Sequence, residues 1–404
     1  MKASKKLCYL LIGFVIFGGC QQYQPQPSQM SNPTNQSAKY PHLYGSGEHL
    51  YMSWISEKDT THTLNYARYS SGHWSTPAVI AESSSWFVNW ADYPSIIGND
   101  KPIAAHWLNK IPGGTYAYNI QISTTDSSEQ WQPPFSPHND GTATEHGFVS
   151  MIPWDDDTIL AVWLDGRRSA NRSPDEYYDI SKAMTLRGAL IATDGTVQRT
   201  FLIDEAVCDC CPTSLVKTDS GAVVAYRNRT DDEIRDIYLS RFDGTTWTDP
   251  ASVHNDSWKI GACPVNGPKL AAADSTVLLA WHTEVNKSPT AKAVISQDYG
   301  ASFGSPITLN KAPSLGRVDA ALHGEKAYVS WLEKSKNHAD TAKLQLGSFG
   351  IADTAVTTQT IDKLNSSRQT GFPQMESVGD TLIFAWTHVD SATTGITTKK
   401  MQLR

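Results

Sequence analysis

One pattern of apolar and polar positions recurs along the chain from about residue 40 onward. Each copy has a short segment, a turn that contains Gly or Asp, and an alternating apolar run that ends at an aromatic residue, as in YPSIIGNDKPIAAHW and GPKLAAADSTVLLAW. Alternation with period two between turn residues predicts β-strands. The pattern therefore predicts seven strand pairs, whose terminal aromatic residues lie about 50 to 60 positions apart and are Trp54, Trp107, Trp163, Tyr226, Trp281, Trp331 and Trp386.

A second pattern between successive copies supplies two further strands around a turn that carries an aromatic residue. It reads GHWSTPAVIAE, EQWQPPFSPHND, TTWTDPASVHND and ASFGSPITLN, with GTVQRTFLIDE and TAVTTQTIDK as weaker copies. Four-stranded units of about 50 residues are typical of β-propeller blades, because a blade buries its faces only against its neighbours. We predict an all-β propeller of seven blades, with a six-bladed arrangement as the alternative. Only six outer strands are visible, so the last blade is either completed by an N-terminal strand or left three-stranded.

One turn carries a recognisable motif. Residues 296–303 read SQDYGASF and match S-x-D-x-G-x-[ST]-[FW], while TTDSSEQW and SRFDGTTW are degraded copies. This motif is the Asp-box, or BNR repeat, of the sialidase-like β-propeller superfamily, which the chain resembles over roughly residues 40–404. The resemblance implies that the motif stabilises turns far from any active site.

Composition narrows the range of partners. The chain has a formal net charge of −7 and shows no basic stripe, which argues against nucleic acid as a partner. Tryptophan is plentiful, with 13 residues, whereas charged residues make up only 19% of the chain.

The ligand side of a propeller is the face where the connections between blades and the loops between second and third strands open together. The loops predicted there are rich in arginine, tryptophan and acidic residues. Arginine forks bind carboxylates in a bidentate way, tryptophan faces suit sugar rings, and paired carboxylates serve glycoside hydrolysis. The predicted ligand-binding residues are Trp90, Arg167, Arg168, Arg227, Arg229, Arg235, Trp258 and Arg317. The predicted catalytic residues are Asp165, Asp232 and Glu233.

The family resemblance also implies a chemistry. Sialidase-like enzymes hold the substrate carboxylate with three arginines, and use an Asp acid and a Tyr nucleophile activated by Glu. This chain has arginines for such a triad, but AKYPHLYG stands where an Arg-Ile-Pro motif is expected. No clear tyrosine nucleophile occurs late in the chain, where the corresponding loop reads RQTGF. Exo-glycosidase activity therefore stays open.

The N-terminus resembles a bacterial lipoprotein signal. Three lysines in residues 1–6 precede the apolar run of residues 7–17, and Gly18 and Gly19 precede Cys20. A basic region, an apolar region and a small-residue cleavage site predict a signal peptide over residues 1–19. Cys20 is then the predicted lipidation site, in the bacterial envelope and, from Gln21, at the outer membrane. Residues 20–38 are rich in Gln, Pro and Ser and are predicted to be a flexible tether before a propeller domain of residues 39–404.

Four cysteines in the predicted domain fall in two connections between adjacent blades. Cys208, Cys210 and Cys211 precede the fourth strand pair, and Cys263 precedes the fifth. An even number of cysteines in an oxidising compartment favours disulfides. The alternatives are a thiolate site for a soft metal such as Cu or Zn, and a catalytic thiol.

Three functions of different classes remain. The first is an envelope lipoprotein that binds an anionic glycan at the channel mouth, with hydrolysis of that glycan left open. The second is a metal-binding or redox protein centred on the four cysteines. The third is a non-catalytic scaffold.

Overall fold

The architecture of a computed structural model, which describes residues 25–335, 340–390 and 393–403, is a seven-bladed β-propeller. The predicted fold and the blade count of seven are confirmed, and the six-bladed alternative is wrong. The predicted signal peptide and Cys20 lie outside the described residues. Within the described ranges no helix is long and apolar enough to span a membrane.

The strands of each blade are antiparallel and follow one another in chain order from the channel outward, except in the seventh blade, whose outermost strand is the N-terminal β1. The first three blades contain β2 (Ala38–Ser46), β3 (His49–Lys58), β4 (Thr61–Ser70), β5 (His73–Trp74) and β6 (Ala78–Ser83); β7 (Ser95–Gly98), β8 (Pro102–Lys110) and β9 (Tyr118–Thr124); and β10 (His146–Pro153), β11 (Thr158–Asp165), β12 (Met184–Ala192) and β13 (Val197–Val207). The fourth and fifth contain β14 (Ser214–Thr218), β15 (Gly221–Arg227), β16 (Ile237–Phe242) and β17 (Ala251–Ser252); and β18 (Lys269–Ala273), β19 (Thr276–Val285), β20 (Ser288–Ser296) and β21 (Ile307–Thr308). The sixth and seventh contain β22 (Ser314–His323), β23 (Lys326–Lys334), β24 (Thr341–Gly350) and β25 (Thr357–Asn365); and β26 (Gln374–Val378), β27 (Thr381–Val389), β28 (Thr394–Gln402) and β1 (Ser28–Gln29).

Helical structure in the described residues is confined to short 3-10 turns in the connecting loops. They are Arg167–Ser169, Pro174–Glu176, Ile180–Lys182 and Arg368–Thr370. Three of the four lie in the long loop between β11 and β12 of the third blade.

The N-terminal strand closes the ring. Ser28 in β1 pairs with Lys400 in β28, so the last blade is completed from the N-terminus. Met30 is only 8% exposed, and the Asn32 side chain accepts hydrogen bonds from the backbone and hydroxyl of Thr398. The predicted tether of residues 20–38 therefore contains a strand of the propeller. The composition of this segment does not indicate the strand β1, because Met30 is the only large apolar residue in its described part that is buried beside the strand.

The recurring aromatic residues pack between blades. Trp54, Trp163, Trp281 and Trp331 are each at most 2% exposed, and each lies within the second strand of its blade, which continues for a few residues beyond it. Trp54 packs in one cluster with Ile383 of the neighbouring seventh blade. Replacement of such a side chain by alanine is expected to cost about 3–5 kcal/mol of stability, because it leaves a cavity between two sheets.

The two ends of the ring differ. The end that carries the connections between blades and the loops between second and third strands is called the upper face below. The opposite, lower end carries tight turns such as residues 296–303. There the Asp298 carboxylate accepts hydrogen bonds from the Ser302 backbone at 2.8 Å and from the Ser296 hydroxyl at 2.7 Å. Ser296 in turn accepts from the backbone of Gly300, where φ is +79°.

The innermost strands line a central cavity of about 540 Å³. Its wall contains a buried ion pair, since Lys269 Nζ lies 3.3 Å from Asp319 Oδ1. Burial raises the pKa of the nearby Glu376 to about 8. At the upper end, the Phe372 ring stacks on Trp90 with centroids 5.7 Å apart and lies 6.1 Å from Tyr93. Rings from two separate connections, the one between blades one and two and the one between blades six and seven, therefore meet at the upper end of the channel.

Candidate functional site

The four cysteines of the predicted domain converge on the upper face, and we call them the cysteine cluster. Cys208 Sγ lies 3.9 Å from Cys210 Sγ and 3.6 Å from Cys211 Sγ, and all four cysteines are free thiols. Cys263 lies beside Cys210 at the exposed edge, and its sulfur is 3.9 Å from the Tyr177 hydroxyl. The connections that lead into β14 and β18 thus bring both cysteine segments to one point.

Buried arginines surround the cysteine cluster. Arg235 Nη1 donates to Cys208 Sγ at 3.2 Å. Burial would raise the pKa of the Cys208 thiol, but hydrogen bonds from Cys210 and Cys211 and the charges of Arg235 and Arg227 hold that pKa well below its usual range. Cys208 is therefore poised to carry negative charge.

The arginines of the fourth blade form ion pairs and hydrogen bonds with other residues of the protein. Glu233 bridges Arg229 and Arg235 through Oε1 and Oε2, with both shortest contacts at 2.6 Å, and we call this trio the Glu233 cluster. Arg227 is 1% exposed and donates to the carbonyl oxygens of Asn266, Arg235 and His282. The three arginines predicted to bind ligand here are thus occupied, and Glu233, a predicted catalytic residue, is part of an ion-pair bridge.

The structure also gives the surroundings of the other predicted site residues in the third and fourth blades. Trp258 is buried, with the Arg227 guanidinium 4.8 Å above its ring. Asp232 is exposed. Arg168 pairs with Glu205 at 3.3 Å on the outer strand of blade three.

Asp165, the third predicted catalytic residue, belongs to a second group of metal-ligating side chains. Arg167 Nε donates to Asp165 Oδ1 at 2.6 Å, which fixes the carboxylate as a buried anion. Beside it lie His138, Asp140 and His146, which we call the histidine cluster. The two histidine rings stack at 3.9 Å.

The Asp140 carboxylate of the histidine cluster already has a positively charged neighbour in the protein. Both histidines approach the same carboxylate oxygen of Asp140, at 3.3 Å and 3.0 Å, and Arg167 lies 3.4 Å from it. Burial and the neighbouring His146 lower the pKa of His138 to about 4. The sequence analysis missed this cluster, because His138 and Asp140 stand in an irregular outer segment that shows no strand pattern.

A pair of carboxyl groups with raised pKa lies between blades two and three. The Tyr118 hydroxyl contacts Asp92 Oδ2 at 3.0 Å and Glu145 Oε1 at 2.5 Å. Burial raises the pKa of Asp92 to about 7 and that of Glu145 to about 8. Asp92 also accepts the backbone N–H of Phe148 and is fully buried, whereas Glu145 is partly exposed. Glu145 is therefore the member of the pair that can exchange a proton with a ligand.

Two predicted ligand-binding residues, Trp90 and Arg317, meet at the upper end of the channel together with Arg368. The guanidinium carbons of Arg317 and Arg368 lie 4.9 Å and 5.7 Å from the Trp90 ring centroid. We call these three residues the Trp90 patch. Arg317 is 7% exposed and donates to the carbonyl oxygens of Ser367 and Gly371, whereas Arg368 is exposed.

The Trp90 patch lacks a counter-ion within the described residues, where neither guanidinium has a carboxylate partner. Burial and the like charge of Arg368 lower the pKa of Arg317 to about 10. An anion bound between the two guanidinium groups would remove this repulsion and gain charge-assisted hydrogen bonds. The patch therefore has the chemistry of an anion site with an aromatic floor.

Comparison with known proteins gives the fold. No protein-family model and no curated protein matches the sequence. A polysaccharide lyase described as an ulvan lyase matches with a TM-score of 0.53 at 10% identity, over 93% of each chain. The polysaccharide lyase Uly1 matches with a TM-score of 0.51 at 10% identity, over 95% of this chain and 93% of its own. The likeness is one of fold alone.

A sialidase of Trypanosoma rangeli, in complex with sialic acid, is a more distant match. Its TM-score is 0.42 at 10% identity, over 93% of this chain and 56% of its own. The arginines that the sequence offers for a carboxylate-binding triad are Arg167 or Arg168, Arg227 or Arg229, and Arg317. Arg167 contacts Asp165, and Arg227 lies buried in the fourth blade.

Proposed function

We propose that this propeller binds an anionic glycan at the upper end of its channel, through the Trp90 patch. The observation that carries the proposal is the pair Arg317 and Arg368, two cations over one tryptophan ring without a carboxylate partner in the described residues. Uronic acids and sulfated sugars combine an anionic group with an apolar ring face. Such ligands match a guanidinium pair beside an indole ring.

The fold supports this choice of ligand class. Two matches with TM-scores above 0.5 are polysaccharide lyases by description. A polysaccharide ligand also suits a shallow site at the end of a channel, because only a few sugar units need to contact the protein at once.

The test is binding of matched anionic and neutral polysaccharides to the full chain. We expect a uronic acid polymer to bind and a neutral arabinan to bind at least tenfold more weakly. Arg368→Ala is expected to reduce affinity for the uronic acid polymer by about ten- to a hundredfold, since a hydrogen bond to a charged group is worth about 1.5–3 kcal/mol. Isothermal titration calorimetry at two salt concentrations measures both effects.

The chain offers a matched control. Arg199 is another exposed arginine over an aromatic ring, 4.9 Å from Phe201, but it lies on the outer strand β13. Arg199→Ala should leave binding unchanged. Equal losses in Arg199→Ala and Arg368→Ala, or equal affinity for neutral and anionic polymers, would refute the proposal.

Cleavage of the bound glycan is a second candidate, favoured by Glu145. Its pKa is raised to about 8 by burial, and a general acid needs to be protonated near neutral pH. Tyr118 holds the carboxyl group in place from below. Under this hypothesis Glu145→Gln abolishes release of reducing ends while leaving binding intact. If the variant still hydrolyses the glycan, another residue must be the general acid.

We further propose that the protein works in the bacterial cell envelope, anchored through lipid on Cys20. The support is the N-terminal sequence, with its lysines, apolar run and Gly-Gly-Cys site. Metabolic labelling with a fatty acid should mark the wild-type chain and not Cys20→Ser. Labelling of both chains, or of neither, would contradict the anchor.

A further inference from the structure

The cysteine cluster has a geometry that the glycan site does not use. Its sulfur–sulfur distances are 3.9 Å between Cys208 and Cys210 and 3.6 Å between Cys208 and Cys211. A disulfide requires about 2.05 Å, so these sulfurs are in contact without a bond. A tetrahedron with metal–sulfur distances of about 2.3 Å has edges of about 3.8 Å. The observed spacing is that of thiolates around one metal ion.

Two segments from different blade connections supply the sulfurs. Cys208, Cys210 and Cys211 come from the connection that enters the fourth blade, and Cys263 comes from the connection that enters the fifth. Cys263 lies beside Cys210, so the fourth sulfur stands at the open edge of the three buried or half-buried ones. A set of three sulfurs from one turn and a fourth from a second loop resembles the ligand arrangement of closed thiolate sites.

The surroundings suit a negatively charged centre. One metal ion with its thiolates, either Cu(I) with three or Zn(II) with four, carries a formal charge of about −2. Arg235 donates a hydrogen bond to Cys208 at 3.2 Å. The positive charge of Arg227 also favours the thiolate forms of Cys208 and Cys211. The described hydrogen bonds of Arg227 all go to carbonyl oxygens. A buried guanidinium without a carboxylate partner is costly unless another anion lies near it.

We propose that Cys208, Cys210, Cys211 and Cys263 bind one thiophilic d10 metal ion, Cu(I) or Zn(II), on the upper face. Three sulfurs form the floor of the site, and Cys263 closes it toward solvent. This site is independent of the Trp90 patch, and neither proposal depends on the other.

The histidine cluster shows why the cysteines and not the histidines are assigned the metal. In that cluster Arg167 already lies 3.4 Å from the shared Asp140 oxygen, so a cation of the protein neutralises the carboxylate that a metal ion would need. Among the four sulfurs, the described hydrogen bonds of Arg235 reach only Cys208.

The experiment measures metal and thiols on the full chain. The protein is purified under argon without chelator, and its metal content is determined by mass spectrometry. The metal is then removed under reducing conditions, and the apoprotein is titrated with Zn(II) or with Cu(I). We expect one ion per chain to be retained or restored. A thiolate-to-copper absorption band, and removal by a Cu(I)-specific chelator, identifies Cu(I); its absence with one bound zinc identifies Zn(II).

The variants distinguish a metal site from a structural staple. Cys210→Ser and Cys211→Ser should lower the affinity for the ion by more than a hundredfold, because each removes a ligand. Cys263→Ser, at the exposed edge, cannot disturb the core and should weaken binding while the near-ultraviolet circular dichroism stays that of the wild type. Cys20→Ser is the control and should retain the ion. The proposal is overturned if the reduced, folded chain takes up neither ion, or if Cys263→Ser and Cys20→Ser bind it equally well.

Discussion

Two groups of arginines on the upper face differ in one respect, which is the presence of a carboxylate. In the Glu233 cluster, Arg229 and Arg235 share the two oxygens of one glutamate at 2.6 Å. In the Trp90 patch, Arg317 and Arg368 face one another over an indole ring, and among the described residues no carboxylate pairs with them. The same residue type therefore builds structure in the fourth blade and leaves an unmatched positive charge at the end of the channel.

The comparison teaches which arginines are free to meet a ligand. Arg227 uses Nε, Nη1 and Nη2 on carbonyl oxygens and has little left to offer a ligand, whereas the described hydrogen bonds of the Arg317 guanidinium use Nη1 alone. Arg368 keeps its donors exposed to solvent. Removal of one charge from the Glu233 cluster should therefore lower stability, whereas removal of one charge from the Trp90 patch should weaken ligand binding.

The largest effect is expected from Glu233→Ala. This change leaves two buried guanidinium groups without their counter-ion and should lower the free energy of unfolding by about 3–5 kcal/mol. Urea denaturation followed by tryptophan fluorescence measures it. The adjacent exposed residue gives the control, since Asp232→Asn should change stability by less than about 0.5 kcal/mol. Similar stability of the two variants would show that the Glu233 cluster is not a buried ion-pair network.

A second effect is a pH dependence of stability that comes from Glu145. Its native pKa is raised to about 8 by burial, above the ordinary value of 4.5, so the native state favours the protonated carboxyl. The stabilisation is complete below about pH 4.5 and is lost as the pH rises through about 8. Because glutamine cannot ionise, the free energy of unfolding of Glu145→Gln should decrease less between these two pH values than that of the wild type.

Thermal unfolding at a series of pH values tests this, with exposed Glu48→Gln as the control. Asp92, whose pKa is raised to about 7, contributes to the same window, so the slope should be reduced and not abolished. An unchanged slope in Glu145→Gln would mean that Glu145 is ionised in the native protein.

The smallest effect concerns the Trp90 patch. Sodium glucuronate should raise the unfolding temperature of the wild-type chain more than glucose with sodium chloride at equal ionic strength, because the carboxylate binds only the native state. We expect a stabilisation of less than about 1 kcal/mol for a single sugar. It should disappear in Arg368→Ala and persist in Arg199→Ala. An equal rise in unfolding temperature in the wild type and both variants would indicate a general salt effect.

The sequence determined the propeller because its information is local and repeated. Alternating strands that carry an aromatic residue such as Trp54, Trp163 or Trp331 repeat the same pattern seven times, and these tryptophans are buried in clusters that span neighbouring blades. The closing strand β1 was harder to see, because two residues of backbone pairing leave almost no apolar signal. The meeting of the cysteine segments also followed from the repeat, since connections into adjacent blades lie side by side.

What only the tertiary structure decided is which polar groups are already matched. Arg229 and Arg317 look alike in the sequence, but Arg229 pairs with Glu233, whereas Arg317 lies near Arg368 and against Trp90, which comes from the connection between blades one and two. The histidine cluster was likewise assembled from an irregular segment and the start of β10. Periodicity along the chain fixes where a strand lies and which face it buries. The charge state and free donors of a side chain depend on neighbours that the fold brings from elsewhere, and these carry no period.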